Sequence, residues 1–399
     1  MTDNRKDTIN LTAALLSWYD AHRRILPWRE DPTPYHVWLS EIMLQQTRVE
    51  AVRGYYDRFL KAIPDIPALA NADEDIVLKL WEGLGYYSRA RNLRRAAMQI
   101  MSDYEGKMPD SAAELRKLAG IGEYTAAAIA AIAFGRKEAA VDGNLLRIFA
   151  RMTEYGENIK APEAKKAAEG YFLELLDGCL MESMSVKADQ EPETQINAGK
   201  RINDPFGTFA SSGNISGDFN QALMDLGATI CLPNAAPKCP DCPWNNFCKA
   251  HQNGTELDYP VTPAKKERKT EEKTVLLIRY DGKYLLHQRA KSGLLAGLYE
   301  FPLVDGKITE DEALKAAEEL GFSALRIRDA GDAKHIFTHK EWHMTGYEIF
   351  ADELQEHLTE KDSGYVLASP GEIEEKYAMP SALRKYRQYV LKQNTGRTR

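Results

Sequence analysis

The chain has 399 residues, 44% of them hydrophobic and 28% charged, with a net charge of −7. That length supports two or three domains with cores of their own, and no window approaches a membrane-spanning run. The polar start Met1-Thr2-Asp3-Asn4-Arg5-Lys6-Asp7 is not a secretory signal, so a cytoplasmic protein with no membrane partner is expected.

Net acidity opposes a nucleic-acid partner only where the basic residues are dispersed, so local patches decide. From about Asn10 to Leu180 the chain reads as successive helices punctuated by Pro32, Pro34, Pro64, Pro67, Pro109, Gly120 and Gly122. Arg23-Arg24-Ile25-Leu26-Pro27-Trp28-Arg29 gathers three arginines around a Trp and a Pro. Guanidinium and indole together clamp a planar base, although a basic helix end with a core Trp reads the same way. Next, Trp38, Leu39, Ile42, Met43, Val49 and Val52 recur at helical spacing and predict one amphipathic helix. Glu41, Gln45 and Arg48 share its polar face, with Gln46 and Thr47 beside them. One acid followed by amides and a single base suits probing a nucleic acid, but an ordinary surface Glu fits the same pattern.

Gly83-Leu84-Gly85-Tyr86-Tyr87 precedes Arg89, Arg91, Arg94 and Arg95, setting aromatic rings beside a basic stripe. Leu118-Ala119-Gly120-Ile121-Gly122 opens an Ala-rich helix. Its glycines let backbone approach a ligand, and the N–H groups at a helix start favour an anion. That is the way a helix–hairpin–helix holds a DNA phosphate. Asp142 in Val141-Asp142-Gly143-Asn144 precedes an apolar helical pattern, where an N-cap is its ordinary role.

Cys179 reads as a buried or tolerated thiol. The stretch 182–217, rich in Ser, Asn, Gln and Gly, reads as an irregular insertion. Cys231, Cys239, Cys242 and Cys248 follow with the spacing C-x7-C-x2-C-x5-C, which marks a metal site and does not separate zinc from an iron–sulfur cluster. The charged, aperiodic run Lys265–Lys273 reads as linker. Beyond it, Val275–Tyr280 and Lys283–Gln288 flank Asp281-Gly282, a hairpin signal, and a helix is expected near Glu310–Leu320. This is a separate α+β domain.

Taken in order, Leu26-Pro27-Trp28-Arg29, the segment 39–47, Gly83–Tyr87, the hairpin at 118–126, Val141–Asn144, the four cysteines and the C-terminal domain resemble the A/G-specific adenine DNA glycosylases of the MutY type. The resemblance covers nearly the whole chain. It implies a multidomain protein: an all-α helix-hairpin-helix DNA glycosylase over 8–252, with its hairpin near 113–134 and an iron–sulfur loop at 231–248. A linker over 253–273 and an α+β nudix-like domain over 274–393 would follow. It implies a monofunctional glycosylase, acting as a monomer on double-stranded DNA, that removes adenine mispaired with 8-oxoguanine or guanine. Glu41 would protonate the flipped adenine at N7, Asp142 would stabilise the cationic sugar, and Tyr124 would support that intermediate. Arg24, Trp28, Arg29, Gln221 and Asn144 would line the adenine pocket. Leu44 and Gln46 would wedge into the duplex, and Thr47, Leu84 and Tyr86 would contact the 8-oxoguanine side. Arg48, Gly120 and Gly122 would also meet DNA. Phe337-Thr338-His339 matches the family's Phe-Ser-His lesion loop, with Thr in place of Ser. The cysteines would hold a [4Fe–4S] cluster.

The departures are a first Cys interval one residue longer than usual, Ala119 where Pro is common, and the 182–217 insertion. A bifunctional relative of the endonuclease III type, acting on oxidised pyrimidines, needs a Schiff-base lysine, and that position is Tyr124 here. A nudix hydrolase of free nucleotides needs an acid where Lys315 stands in Leu314–Gly321. A lesion-binding protein without catalysis would not need both Glu41 and Asp142.

Overall fold

The computed structural model describes residues 2–188, 213–233, 235–263, 267–354 and 364–395. The first helices are α1 (Thr2–His22), α2 (Pro27–Glu30), α3 (Pro34–Leu44), α4 (Val49–Ala62), α5 (Ile66–Asn71), α6 (Glu74–Leu80) and α7 (Ser88–Asp103). Next come α8 (Ala112–Leu115), α9 (Glu123–Phe134), α10 (Gly143–Thr153), α11 (Pro162–Ala188), α12 (Ile215–Thr229) and α13 (Lys249–Asn253). None of the described helices is long and apolar enough to cross a membrane.

The chain divides into two compact units. One holds Met1–Asp57, Asp65–Pro67 and Arg95–Ala264, and the other holds Arg58–Pro64, Ala68–Arg94 and Lys265–Arg399. In the first unit, α1, α10, α11 and α12 bury Leu15, Leu16, Leu145, Phe172, Phe219 and Leu223 against one another. Trp244 joins that core and donates its indole N–H to the Leu11 carbonyl at 2.7 Å, which ties the cysteine loop to α1. The hairpin is α8, a turn and α9. Gly120 occupies the left-handed region at φ +77. Gly122 does not: it is the extended N-cap of α9 at φ −88, with no side-chain cap, and a Cβ there would meet nothing within 4 Å. Its bareness leaves space above a helix N-terminus instead of meeting a backbone need.

The second unit contains α6 and the Gly83–Tyr87 loop together with the C-terminal sheet. Its strands are β1 (Lys269–Tyr280), β2 (Lys283–Gln288), β3 (Tyr299–Glu300), β4 (Leu303–Asp305), β5 (Phe322–Asp329), β6 (Ala333–Ile336), β7 (Lys340–Leu354) and β8 (Tyr365–Ala368). The helices are α14 (Glu310–Glu319), α15 (Pro370–Glu375) and α16 (Arg384–Thr395). The order is β3-β2-β1-β7-β5, with β4 on β1, β6 on β7 and β8 on β2. The β1–β7 pair is parallel, from Lys269↔Lys340 to Tyr280↔Ala351. Val275 and Leu277 face the core shared with Tyr386 and Leu383, while Leu276 and Ile278 face Ala313 and Ala317 of α14. A sheet covered on both faces explains why this strand reads as a continuous apolar run. Asp281 and Gly282 lie at φ +45 and +75, the twist a two-residue hairpin turn requires.

Four readings of the sequence change. The predicted helix through 38–52 is two helices. It stops at Leu44, Gln46 adopts φ +55, and α4 starts at Val49. No glycine or proline marks that break, so periodicity ran through it. Nor is the Glu41 face solvated: Tyr35 and every residue from Val37 to Met43 are buried. The charged run taken as linker enters the sheet at Lys269, where Glu271 accepts from Lys340 Nζ (2.8 Å) and Trp342 Nε1 (3.0 Å) across the strands. The ends of the predicted insertion are helical, since α11 reaches Ala188 and α12 begins at Ile215. Residues 189–212 and the side chain of Cys179 lie outside the described residues.

Candidate active site and cysteine centre

Glu41 is 6% exposed in an apolar helix. Burial raises its carboxyl from 4.5 to about 7. A hydrogen bond with Tyr124 opposes the rise, the charge of Asp142 adds to it, and Arg29 opposes it. Tyr124 sits in the first turn of α9, and its hydroxyl is held well above its ordinary value by burial and by the two nearby acids. Gln45, just past α3, donates to Thr125 Oγ1 at 3.0 Å and fastens the end of α3 to α9.

Asp142 is the N-cap of α10 and also a neighbour of Glu41. Its Oδ1 accepts from the backbone N–H of Asn144 (2.8 Å) and Leu145 (2.9 Å), and its Oδ2 accepts from Asn144 Nδ2 (2.8 Å). Burial raises its pKa against those hydrogen bonds and against Arg147. The loop leading to it is pinned by buried Asn220, which accepts from Ala140 N and donates to the carbonyls of Glu138 and Ser216, each at 2.8 Å. Gly227 permits α12 to approach, because a Cβ there would lie 2.6 Å from Asn144 Cβ. Glu41, Tyr124 and Asp142 line one cavity with Leu44, Gln46, Gly120 and Gly122. Two carboxyls of unequal environment, one inclined to keep its proton, are the equipment for acid-assisted bond cleavage with stabilisation of a cation.

The other predicted pocket residues divide. Arg24, Arg29 and Gln221 line a second cavity with Tyr19 and Asp218. Both arginines converge on Asp225, whose side chain is 1% exposed. Arg29 binds it bidentately at 2.8 and 3.0 Å, and Arg24 binds through Nη2 (2.6 Å) and Nε (2.7 Å). Trp28 is buried edge-on against Tyr56, with ring centroids 5.4 Å apart, and lines neither cavity. Arg29 nonetheless acts electrostatically on Glu41, so the two cavities share a field. Thr47 donates to the Gln45 carbonyl at 3.3 Å, and Arg48 is exposed.

In the second unit Leu84 is buried and Tyr86 is 48% exposed. The Tyr86 hydroxyl hydrogen-bonds Thr338 Oγ1 at 2.6 Å, so two residues predicted to face the lesion touch. Phe337 stacks edge-on against Trp342 at 4.9 Å, and the turn closes with Phe337 N donating to Lys340 O at 2.8 Å. The His339 carbonyl accepts from Lys269 N at 3.3 Å.

All four cysteines line one cavity walled by Ile148, Met152, Leu226 and Trp244. The loop closes through Lys238 N to Ile230 O at 2.9 Å, and across the C-x7-C interval all four cysteines still reach this cavity, where the ligand atoms of Cys239, His251 and Glu256 lie within 4.8 Å of one another. Burial pushes Cys239 up to about 11 and Cys242 up to about 12, and the other cysteines add to both shifts. Crowded, partly buried thiols of this kind suit a cationic group that takes them as thiolates. Arg151 donates to Cys231 Sγ at 3.2 Å, and Arg147 donates to Cys231 O at 2.8 Å and to Asn144 Oδ1 at 2.9 Å. One helix therefore carries the cap at Asp142 and the contacts to the cysteine loop.

Sequence reasoning missed Asp225, Asn220, Arg147 and Arg151, and it set Gln45 facing a nucleic acid where its amide bonds Thr125. The available signal was polarity inside apolar helices: Asn220 and Asp225 interrupt a run in which Phe219, Ala222, Leu223 and Leu226 are buried. Their partners lie too far along the chain for spacing to indicate.

Residues 39–172 match the family model described as HhH-GPD superfamily base excision DNA repair protein, and residues 274–389 match the NUDIX domain. The chain is 31% identical to the adenine DNA glycosylase of Mus musculus, over 87% of this chain and 72% of that protein. It is 32% identical to the adenine DNA glycosylase of Buchnera aphidicola subsp. Baizongia pistaciae, over 83% of this chain and 84% of that protein. Among solved structures, a thermostable thymine-DNA glycosylase is similar at 26% identity, over 63% of this chain and 99% of that chain, with a TM-score of 0.48. With relatives of this identity and coverage, and with a helix-hairpin-helix region followed by a nudix-like domain, the chain belongs to the adenine DNA glycosylase family.

Proposed function

We propose that this protein hydrolyses the N-glycosidic bond of adenine mispaired with 8-oxoguanine, or with guanine, in duplex DNA. The observation that carries the reading is the shared cavity of Glu41, Tyr124 and Asp142, in which burial lifts Glu41 to about 7. Adenine in a duplex is inaccessible, so the nucleotide flips out. Glu41 protonates N7, the base leaves neutral, and Asp142 balances the oxocarbenium-like sugar until water adds. The Tyr124 hydroxyl orients Glu41. Arg24 and Arg29, fixed by Asp225, give the adenine pocket a positive edge, Gln221 and Asn144 offer amides, and Trp28 packs beneath. Leu44 and Gln46 fill the gap left in the duplex, with Thr47 and Arg48 alongside. The bare start of α9 at Gly120–Gly122 takes a phosphate.

On the lesion side Tyr86, supported by buried Leu84, and Phe337-Thr338-His339 meet 8-oxoguanine. The four cysteines would hold a [4Fe–4S] cluster, which when bound shapes the surrounding DNA-binding loop. Tyr124 stands where a Schiff-base lysine would, and Lys165, which also lines the cavity, is paired with Glu123, so a monofunctional enzyme is favoured. We take it to act as a monomer in the cytoplasm.

Duplexes carrying A opposite 8-oxoguanine, A opposite G and thymine glycol test this directly. Adenine release from the first two, no action on the third and no borohydride-trapped adduct are expected. Cleavage of thymine glycol with a trapped adduct would replace the reading with the endonuclease III type. The purified protein should be brown and contain iron, and a colourless, active, zinc-loaded preparation would remove the cluster from it.

A further inference from the structure

The loop Gly83–Tyr87 is held in an unfavourable backbone conformation. Gly83 and Gly85 lie at φ +101 and +72, and Tyr86 itself lies at φ +46. A bulky residue in the left-handed region persists only where its surroundings over-determine it. Part of the restraint is local: buried Arg89 donates to the carbonyls of Leu84 and Gly85, both at 3.0 Å, and sits over the rings of Trp81 and Tyr86.

The rest comes from residues 377–379, some 290 positions along the chain and within the same compact unit. The Tyr87 hydroxyl accepts from Gly83 N at 3.1 Å and donates to the Met379 carbonyl at 3.2 Å. The Glu82 carboxylate accepts from Met379 N at 2.9 Å and pairs with Arg387 at 3.0 Å and Lys79 at 2.8 Å. Lys79 Nζ in turn donates to the Tyr377 carbonyl at 3.2 Å. Both polar groups of the Met379 backbone are therefore taken, by Glu82 just before the loop and by Tyr87 at its end.

We propose that Tyr87 and Glu82 are positioning residues for lesion discrimination, latching the Gly83–Tyr87 loop to the Tyr377–Met379 segment. The latch presets Tyr86 against Thr338. This rests on the reading of Tyr86 and Thr338 as the lesion-facing pair. In it the C-terminal domain acts on recognition in two ways: through its own Phe337–His339 turn, and by holding a loop from the helical part of the chain in a conformation that loop would not keep alone. Neither Tyr87 nor Glu82 lines the cavity of Glu41, so the latch bears on preference and not on bond cleavage.

The test uses the full chain with Tyr87→Phe, which removes one oxygen and leaves the buried ring. Glu82→Gln serves as a second variant that removes the ion pairs with Arg387 and Lys79 and leaves Met379 N only a neutral, weaker acceptor. Duplex affinity is measured with 8-oxoguanine and with guanine opposite adenine, together with the single-turnover excision rate at saturating protein. The loss of one or two hydrogen bonds is expected to reduce the 8-oxoguanine preference roughly 3- to 10-fold. The saturated rate on A opposite G should stay within about twofold. Thr338→Ala is run beside them as the control for the underlying reading. If it lowers the preference while Tyr87→Phe and Glu82→Gln leave it intact, the latch is overturned and the lesion-side assignment stands. If none of the three changes the preference, the assignment falls and takes the latch with it. An equal fall in preference and in saturated rate would mean a general structural role and would also overturn the proposal.

Discussion

Glu41 and Asp225 are both buried acids in the helical unit, and they are held in opposite states. Asp225 is 0% exposed but faces two guanidinium groups, whose hydrogen bonds and charge hold its carboxyl below the usual range against the effect of burial. Glu41 has a tyrosine hydroxyl, a more distant arginine and a second acid nearby, and burial prevails, bringing it to about 7. Burial therefore does not by itself decide protonation. The partner set does: Tyr124, Asp142 and Arg29 act on Glu41 of α3, whereas Arg29 and Arg24 act on Asp225 of α12. One acid is prepared to give up a proton near neutral pH, and the other to anchor cations as a carboxylate.

The strongest way to break the contrast is Glu41→Gln. Excision should fall by about 10²- to 10⁴-fold in single-turnover assays, with duplex binding retained. The same change should stabilise the protein at pH 8. The carboxyl prefers its neutral form in the folded state, so stability falls as pH rises from 4.5 to about 7 and stays low above it. At about 1.4 kcal/mol for each tenfold change in proton affinity, the gain is up to about 3 kcal/mol by denaturant melting. Unchanged excision would end the proposed acid role. Asp225→Ala comes next. It strands Arg24 and Arg29 and should cost about 3–5 kcal/mol of stability. In the intact protein the pH dependence has the opposite sign to that of Glu41: the Asp225 contribution is present above 3.8 and is lost as pH falls through its depressed value.

Asp142→Asn separates the two roles of one residue. Asparagine caps a helix about as well as aspartate, so stability should stay within about 0.5 kcal/mol, while loss of the negative charge should cost about 10²- to 10³-fold in excision. A large fall in melting temperature would mean that the cap, and not the charge, had been tested. The smallest effect is expected of Tyr124→Phe. The lost hydrogen bond favours the ionised form of Glu41, so its removal should move the alkaline limb of the pH–rate profile upward, with a change in optimal rate of roughly threefold.

Much of this was legible from the sequence because the chemistry is local. The four cysteines fall within one short loop and Asp281-Gly282 is a two-residue hairpin signal, whereas Glu41 and Asp142 are singled out by the resemblance, since alone they read equally as a surface acid and a helix cap. The break at Gln45–Thr47 was not legible, because it depends on a left-handed glutamine that no composition rule flags. Nor was the fate of Arg24 and Arg29: the arginine cluster pointed to a planar ligand, and Asp225, about 200 residues on, decides what holds them. Asp142 shows why opposed readings need not exclude each other. The helix cap seen here and the carboxyl proposed to steady the sugar are the same side chain.

The Ala119 backbone amide donates to the Gln99 side-chain oxygen at 2.8 Å. A proline at this position would have no N–H to give. A consensus graft of Ala119→Pro, chosen to stiffen the turn, would thus orphan an amide oxygen on α7 and set the ring against it. Gln99 and Ala119 therefore act as a pair across the hairpin, and changing either alone leaves the other's hydrogen-bonding group unmatched.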